Sequence, residues 1–281
     1  LSDLSATVNK LEYWEQVTVN EQPSNIGSIL INDEFYFLGF DKSRKFNLET
    51  GLWTDLKPCP ELKKDGKVHI VHLGRKIYII YHQRVRTILN SYYDPSESAV
   101  LDLDSGEWSI IQSLPVSRRN AEIDYKKGTA FAFNNKIYFL GHVAHIDSRN
   151  NSAGEKWGAF AFTPSSANWE KLEYFTDFAA ISSFSLGERA FASVGGGMYE
   201  MFLNENQLQK IFTGALFSYN ANSSVGHLYT AIGNNFLIRK NDSTFSRVSL
   251  GNLESTLSSF DCSPRFPGGG QMYESKDTLY S

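Results

Sequence analysis

The chain contains few residues that would cross-link it or interrupt its regular structure. Among its 281 residues are only two cysteines, Cys59 and Cys262, and eight prolines. The cysteines lie in different units of the repeat described below. Because disulfide-bonded backbones must approach closely, we predict two separate thiols. No polar or proline-rich linker divides the sequence, so residues 1–281 are predicted to form one ordered domain.

The sequence also lacks long apolar runs and an excess of basic residues. No stretch reaches the eighteen or more apolar residues of a membrane-spanning helix, so no membrane span is expected. The formal net charge of −4 argues against nucleic-acid binding, which needs a basic surface to neutralise phosphates. Motifs for a nucleophile elbow, a phosphate-binding loop or a zinc-binding helix are missing. We therefore expect no nucleic acid, no cofactor and no metal.

The chain does contain a β-rich unit that recurs, with no helical segment predicted between the copies. Each copy closes on a short strand of one type. These strands begin at Tyr13, Leu52, Glu107, Asn168, Leu208 and Thr244. Such recurrence is typical of repeat architectures, because one small sheet cannot bury its face until neighbouring sheets pack on it.

Three units share the same internal order. A hairpin of two apolar strands around a polar turn comes first, followed by an extended segment and a turn rich in Asp, Asn, Ser and Gly. The second hairpin strand carries a tyrosine, and the unit closes on a tryptophan. The tyrosines are Tyr36, Tyr78 and Tyr138, and the tryptophans are Trp53, Trp108 and Trp169. Equivalence across repeats predicts that these tryptophans are buried between neighbouring units.

The order of hairpin, then apolar-x-Asp/Asn-x-x-Thr/Ser-Gly-x-Trp, resembles the kelch repeat. The resemblance implies a β-propeller of four-stranded antiparallel blades, with strands a to d in each blade. The chain begins with segments typical of strands c and d and ends with segments typical of a and b. The two ends are therefore expected to share the first blade and close the ring. Six closing strands give about 47 residues per blade. We predict an all-β, six-bladed propeller, with seven blades as the alternative.

Two neighbouring connections between strands b and c are long. From the strand-b tyrosine to the closing tryptophan, the third and fourth units are about a dozen residues longer than the second. The additional residues fall in segments 82–98 and 142–158, and the connection 115–127 is expected on the same propeller face. The three segments are rich in Arg, Tyr, His and Trp, residues that anchor interfaces. The predicted binding residues are Arg84, Arg86, Tyr92, Tyr93, Arg118, Arg119, Tyr125, His142, His145, Arg149 and Trp157.

This composition predicts a non-enzymatic interaction module. Arginine side chains bind carboxylate, sulfate or phosphate in a forked geometry, so the expected partner is a protein, a peptide or an acidic or sulfated glycan. The alternative is a purely structural role, in which the long loops pack on each other and their arginines form solvated ion pairs. Two other functions stay open. One is a propeller enzyme of the oxidase or glycosidase type, and the other is a structural subunit of an extracellular or cytoskeletal assembly.

The histidines do not form a recognisable metal site. His69 and His72 have odd spacing on a predicted strand, which directs them to opposite sides. His142 and His145 are expected in a loop, with no third ligand at a recognisable spacing beyond Asp147. Cys59 has only the two strand histidines near it in sequence, which argues against the Cys, Tyr and two His of the copper radical oxidases known among kelch-like folds.

Three glycosylation sequons bear on the cellular location. They stand at Asn150, Asn222 and Asn241, and chance would produce as many in a chain this rich in Asn, Ser and Thr. They favour a secreted or extracellular location over a cytoplasmic one without deciding between them. The sequence does not specify the oligomeric state.

Overall fold

The computed structural model is an all-β protein. Every regular element among the residues that the structure describes is a β-strand. The described residues are 26–60, 62, 66–86, 91–95, 97–112, 114, 122–145, 154–172, 180–186, 188–194, 197–203, 207–213, 229–232, 235–239, 244–249, 257–261, 273–275 and 278–280.

The strands form four-stranded antiparallel sheets that follow chain order, and we call these sheets blades, numbered as the units of the sequence. Blade 2 contains β1 (Gly27–Ile31), β2 (Glu34–Leu38), β3 (Ser43–Asn47) and β4 (Trp53–Leu56). Blade 3 contains β5 (Gly66–Leu73), β6 (Lys76–Arg86), β8 (Ser98–Asp102) and β9 (Trp108–Ile111), and β7 (Ser91–Pro95) pairs with the end of β6. Blade 4 contains β10 (Glu122–Phe133), β11 (Lys136–His145), β12 (Gly154–Thr163) and β13 (Asn168–Leu172).

Two further sheets and a hairpin follow. Blade 5 contains β14 (Ala180–Leu186), β15 (Arg189–Val194), β16 (Gly197–Phe202) and β17 (Gln207–Thr213). Blade 6 contains β18 (Tyr229–Ile232), β19 (Asn235–Arg239), β20 (Thr244–Ser249) and β21 (Leu257–Asp261). The hairpin contains β22 (Tyr273–Ser275) and β23 (Thr278–Tyr280). The four-stranded antiparallel organisation predicted from the repeats is confirmed. The prediction that the strand from Thr244 closes its unit is wrong, because β20 is the third strand of blade 6 and β21 pairs with it as the fourth.

The chain divides into two compact units. One comprises Pro23–Val194 and Tyr199–Gln209, and holds blades 2 to 4 and most of blade 5. The other comprises Leu1–Gln22, Gly195–Met198 and Lys210–Ser281, and holds blade 6 and the terminal hairpin. The candidate site described below lies entirely in the first of these units.

The hairpins between strands a and b turn where the sequence predicts. Asn32 and Asn134 open two of these turns with φ of 47° and 45°, and the residues after them also have positive φ. Two successive positive φ values are the pattern of a type I′ turn, which Asn and Asp tolerate and which matches the twist of the flanking strands. In blade 3 the turn residue with positive φ, 62°, is Gly74.

The turns between strands c and d also follow the repeat. Asn47 Oδ1 accepts hydrogen bonds from two backbone N–H groups of its turn at 3.0 and 2.9 Å, and Asp102 Oδ1 accepts two at 3.0 Å. The hydrogen bond from the Ser105 N–H is the largest of the effects that lower the pKa of Asp102. Gly51 and Gly106 then adopt the left-handed conformation, with φ of 66° and 72°. The Asp/Asn and Gly positions of the repeat are therefore required by the backbone of the turn.

Blade 4 has an alanine at the glycine position of this turn. Ala167 has a φ of 51°, which strains any residue with a Cβ. We expect Ala167→Gly to raise the free energy of unfolding by about 0.5–1 kcal/mol, and Gly106→Ala to lower it by a similar amount. Urea denaturation of both variants measures the change. A less stable Ala167→Gly protein would contradict the equivalence of the two turns.

Alternating residues of β6 and β11, the second strands of blades 3 and 4, pack on the two neighbouring blades. In β6, Ile77 and Ile79 join a buried cluster with blade 2, whereas Tyr78 and Ile80 join a buried cluster with blade 4. We call these clusters seam 2/3 and seam 3/4. A similar cluster between blades 4 and 5, seam 4/5, includes Tyr138. The core is therefore a series of apolar seams between sheets packed face to face.

The closing tryptophans connect each blade to the one before it. Trp169 donates its Nε1–H to the carbonyl oxygen of Gln112 at 3.0 Å, and Trp108 donates to that of Lys57 at 2.9 Å. Both acceptors stand at the equivalent position directly after strand d of the preceding blade. The indole hydrogen bond is thus part of the repeat, and it joins blade 2 to blade 3 and blade 3 to blade 4.

The predicted burial of the tryptophans is confirmed for one of the three. Trp169 is 5% exposed within seam 3/4, whereas Trp53 and Trp108 are half-buried. All three tryptophans lie on strand d, the edge strand of the blade, where one side of a ring can remain near solvent. The guanidinium of Arg44 lies 4.9 Å from the centre of the Trp53 ring and covers part of that ring instead.

Cys59 is a free thiol in seam 2/3. It is 2% exposed, and its burial raises the pKa of the thiol to about 12. The prediction of a separately buried thiol is confirmed for this residue, whereas Cys262 lies outside the described residues. Because the thiolate is the reactive form, alkylation of the folded protein by iodoacetamide at pH 8 is expected to be at least about a hundredfold slower than in urea.

In a Cys262→Ser variant, Cys59 is the one cysteine that iodoacetamide can alkylate. Mass spectrometry of this variant measures the extent of its modification. Rapid modification of the folded protein would show that seam 2/3 opens far more readily than its packing indicates.

Blades 2 and 5 carry the same ion pair with the charges exchanged. Lys45 Nζ lies 2.7 Å from Glu34 Oε1, and both guanidinium contacts of Arg189 to the Glu200 carboxylate are 2.6 Å. In each blade the ion pair joins the first residue of strand b, Glu34 or Arg189, to a residue of strand c, Lys45 or Glu200. Burial acts to raise the pKa of Glu34, but hydrogen bonds from Lys45 and Tyr36 outweigh it and lower that pKa. Hydrogen bonding to Glu200 raises the pKa of Arg189.

Candidate binding site

The long connections of blades 3 and 4 are mainly extended strands. β6 continues to Arg86 and returns as β7, while β11 continues to His145 and returns as β12. The expectation of loops at these positions is therefore wrong. Its physical reason is that ladder pairing satisfies the backbone N–H and C=O groups of long connections and so extends the blade sheets.

The extensions of the two blades meet. Tyr93 of β7 pairs with Ile123 of β10, and this pair joins blades 3 and 4 into a single nine-stranded sheet. On its other side Tyr93 pairs with Arg84. We call this joined region the ribbon. It comprises residues 82–86, 91–95, 122–124, 141–145 and 154–158.

Seven of the predicted binding residues lie in the ribbon. They are Arg84, Arg86, Tyr92, Tyr93, His142, His145 and Trp157. Tyr125 lies in β10 within a shift of register between Asp124 and Gly128, next to the ribbon. Arg118, Arg119 and Arg149 lie outside the described residues, as do the sequons at Asn150, Asn222 and Asn241.

The register of the ribbon divides these seven residues between its two faces. Residues opposite one another across a ladder share a face, and neighbours along a strand occupy opposite faces. Arg84 pairs with Tyr93, whereas His142 pairs with Trp157. The face of Arg84 contains Arg86, Tyr93 and His145. The other face contains Tyr92, His142 and Trp157. By register, the predicted binding residues therefore stand on both faces of the ribbon.

Sequence reasoning missed two basic residues of the ribbon. His82 shares the face of Arg84 because the two stand at even spacing on β6. Lys156 lies on the same face because it pairs with Val143. Val143 in turn pairs with Ile123, which is the partner of Tyr93. The alternation of basic residues at 82, 84 and 86 was the available signal, and it becomes meaningful once the segment is recognised as a strand.

The histidines of the ribbon are not placed as a metal-binding pair. His142 and His145 have odd spacing on β11 and therefore occupy opposite faces. Among the described residues, no group of three or more His, Cys, Asp and Glu is arranged to hold a metal ion.

The two strand-a histidines belong to the packing of blade 3. The His69 ring lies edge-on to Phe139 of blade 4, with 5.4 Å between ring centres, so its predicted packing role is confirmed. His72 Nε2 lies 2.7 Å from the Gly74 carbonyl oxygen, and burial lowers the pKa of His72.

Within the described part of the chain, no helix is long and apolar enough to cross a membrane.

Four-stranded antiparallel blades, Asn47- and Asp102-capped turns before two of the closing tryptophans and apolar seams between successive sheets are the organisation expected of a kelch-like β-propeller. The resemblance to the kelch repeat is confirmed by a curated relative. The chain is 24% identical over 171 residues to Kelch-like protein terF of Aspergillus terreus (strain NIH 2624 / FGSC A1156). The match covers 59% of this chain and 35% of that protein, so the chain spans about a third of its relative's length. No protein-family model matches the chain.

Comparison with solved structures finds similarity at low sequence identity. The structure of YjhT has a TM-score of 0.57 at 10% identity, and the match covers 92% of this chain and 90% of YjhT. A luciferin-regenerating enzyme has a TM-score of 0.47 at 12% identity, covering 84% of this chain and 75% of the enzyme. At these identities the likeness to YjhT concerns the fold alone.

Proposed function

We propose that the chain is a non-enzymatic interaction module that binds a protein, a peptide or an acidic glycan through the ribbon. The observation that carries this proposal is the pairing of Tyr93 with Ile123, which joins the extensions of two blades into one sheet. The segment expected to bind is therefore a continuous surface built from two blades.

A sheet supports recognition better than separate flexible loops. Binding restricts the motion of mobile segments, and a segment already held in a ladder loses less conformational entropy. Seam 3/4 lies directly next to the ribbon, since Tyr78 and Ile80 precede it on β6 and Ile137 and Phe139 precede it on β11. This packed base favours a rigid platform for a partner.

A random peptide library displayed on phage tests the proposal. We expect selection against the folded protein to enrich peptides whose binding falls at least about tenfold in an Arg84→Ala, Arg86→Ala variant. The matched control is Lys136→Ala, Lys171→Ala, which removes two cations from blade 4 outside the ribbon. Peptides that bind both variants as well as the original protein, or a selection without any enrichment, would overturn the proposal.

We also propose that residues 1–281 form one closed domain of six blades. Five blades and a terminal hairpin among the described residues support this count, because the hairpin would supply two strands of a further blade. β22 lies against β18, as the first strands of other neighbouring blades lie against each other.

Strand sharing can be tested by removing residues 271–281. We expect the shortened protein to lose stability and to regain it when a synthetic peptide of those residues is present during refolding. Undiminished stability of the shortened protein would exclude a blade completed by the carboxyl-terminal strands.

A further inference from the structure

The charged residues of the ribbon separate by face. Those sharing the face of Arg84 are all basic, and we call this the basic face. They are His82, Arg84, Arg86, His145 and Lys156. On the opposite face the charged residues are acidic, apart from His142. They are Asp94, Glu122, Asp124 and Glu155.

The separation follows from the register, which is continuous along each strand pair. On β6 the basic face continues the side that bears Tyr78 and Ile80 in seam 3/4. On β11 it continues the side that bears Ile137 and Phe139 of the same seam. The basic face is therefore the end of an apolar seam between two blades, where apolar residues give way to cations.

The middle of the basic face is apolar. One row of paired residues runs across five strands in the order Arg84, Tyr93, Ile123, Val143, Lys156. Adjacent strands lie about 4.8 Å apart, so the two cations at the ends of the row are separated by up to about 19 Å. An extended peptide covers that distance in about six residues.

We propose that the basic face binds an acidic peptide segment, in which one apolar residue is flanked on both sides by carboxylates. The carboxylates pair with Arg84 and Lys156, and the apolar residue packs on Ile123 and Val143. This inference rests on the proposed function and specifies its partner. Carboxylates form charge-assisted hydrogen bonds with cationic side chains, so a face whose charged residues are all basic favours an acidic partner. A sulfated glycan also supplies anions, but it has no aliphatic group for the middle of the row.

A defined probe tests the proposal. We would titrate the protein with a fluorescein-labelled nonapeptide that has Glu-Glu at each end, a central Leu, and Gly and Ser between them. Fluorescence anisotropy is expected to show binding that weakens as salt increases. Replacing the four Glu by Gln, or the Leu by Ser, is expected to reduce affinity at least about fivefold.

Neighbouring residues on the two faces supply matched controls. Arg84→Gln and Lys156→Gln are each expected to weaken binding about five- to tenfold. Gln83→Ala and Glu155→Gln change the adjacent residue on the opposite face and are expected to alter affinity less than about twofold. Thermal unfolding of the four variants confirms that each remains folded.

Three results would overturn the proposal. The all-Gln peptide could bind as well as the original, the opposite-face variants could weaken binding as much as the basic-face ones, or a heparin-derived oligosaccharide could bind where the peptide does not. Ribbon-dependent library peptides without carboxylates would contradict the acidic ligand while leaving the interaction module intact. A library that gives no ribbon-dependent peptide would contradict both.

Discussion

Replacement of Trp169 by alanine is expected to lower the free energy of unfolding by about 3–5 kcal/mol. The indole is 5% exposed in seam 3/4, and its ring centre lies 5.1 Å from that of Phe162. Truncation leaves a cavity between two sheets and removes the hydrogen bond to the Gln112 carbonyl oxygen. Urea denaturation followed by intrinsic fluorescence and circular dichroism measures the change.

Two further substitutions separate the contributions of Trp169. Trp169→Phe retains most of the apolar contact but removes the N–H donor, so a smaller loss of about 1–2 kcal/mol is expected. Trp108→Phe removes the equivalent donor at a half-buried site, and we expect it to cost less than Trp169→Phe. Equal losses at both sites would contradict the difference in burial, and a fully stable Trp169→Ala protein would contradict the packing of seam 3/4.

Removal of Arg189 is expected to have the second-largest effect. Its two contacts to Glu200 are 2.6 Å each, and the Glu200 side chain is 11% exposed whereas that of Arg189 is 38% exposed. Arg189→Met takes both donors away from a nearly buried carboxylate, which we expect to cost about 2 kcal/mol. The partial exposure of Arg189 keeps this value below that of a fully buried pair.

The double variant Arg189→Met, Glu200→Leu is the control for this prediction. It removes the charge as well as its partner, and we expect it to recover more than half of the loss. Lys45→Met tests the reversed pair of blade 2, where the side chains are 30% and 24% exposed, and a loss of about 0.5–1 kcal/mol is expected. An Arg189→Met protein no less stable than Lys45→Met would contradict the importance of burial.

The parts of the fold that the sequence predicts are those fixed by local chemistry. The positive φ of Asn32 and Asn134, the turn capped by Asp102, and the glycines after it each depend on a few adjacent residues. Alternation then places Tyr78 and Tyr138 in seams between blades, because the side-chain period of a strand is two.

The candidate site was predicted less well because its geometry depends on pairing between distant segments. Nothing near Tyr93 in the sequence indicates that it pairs with Ile123 of the next blade. Without that register, Arg84 and Trp157 were assigned to one patch, and Lys156 was overlooked. Charge composition alone identifies a basic region, but the face of each residue follows only from the ladder.

The tryptophan bonds described for blades 2 to 4 give the repeat a direction along the chain. Each indole N–H donates to a backbone carbonyl oxygen directly after the preceding blade: Trp108 donates to Lys57, and Trp169 donates to Gln112. During synthesis on the ribosome, a blade that has just emerged would therefore lack one of its hydrogen bonds until the following blade is complete. The nascent chain is expected to become protease-resistant with a delay of one blade.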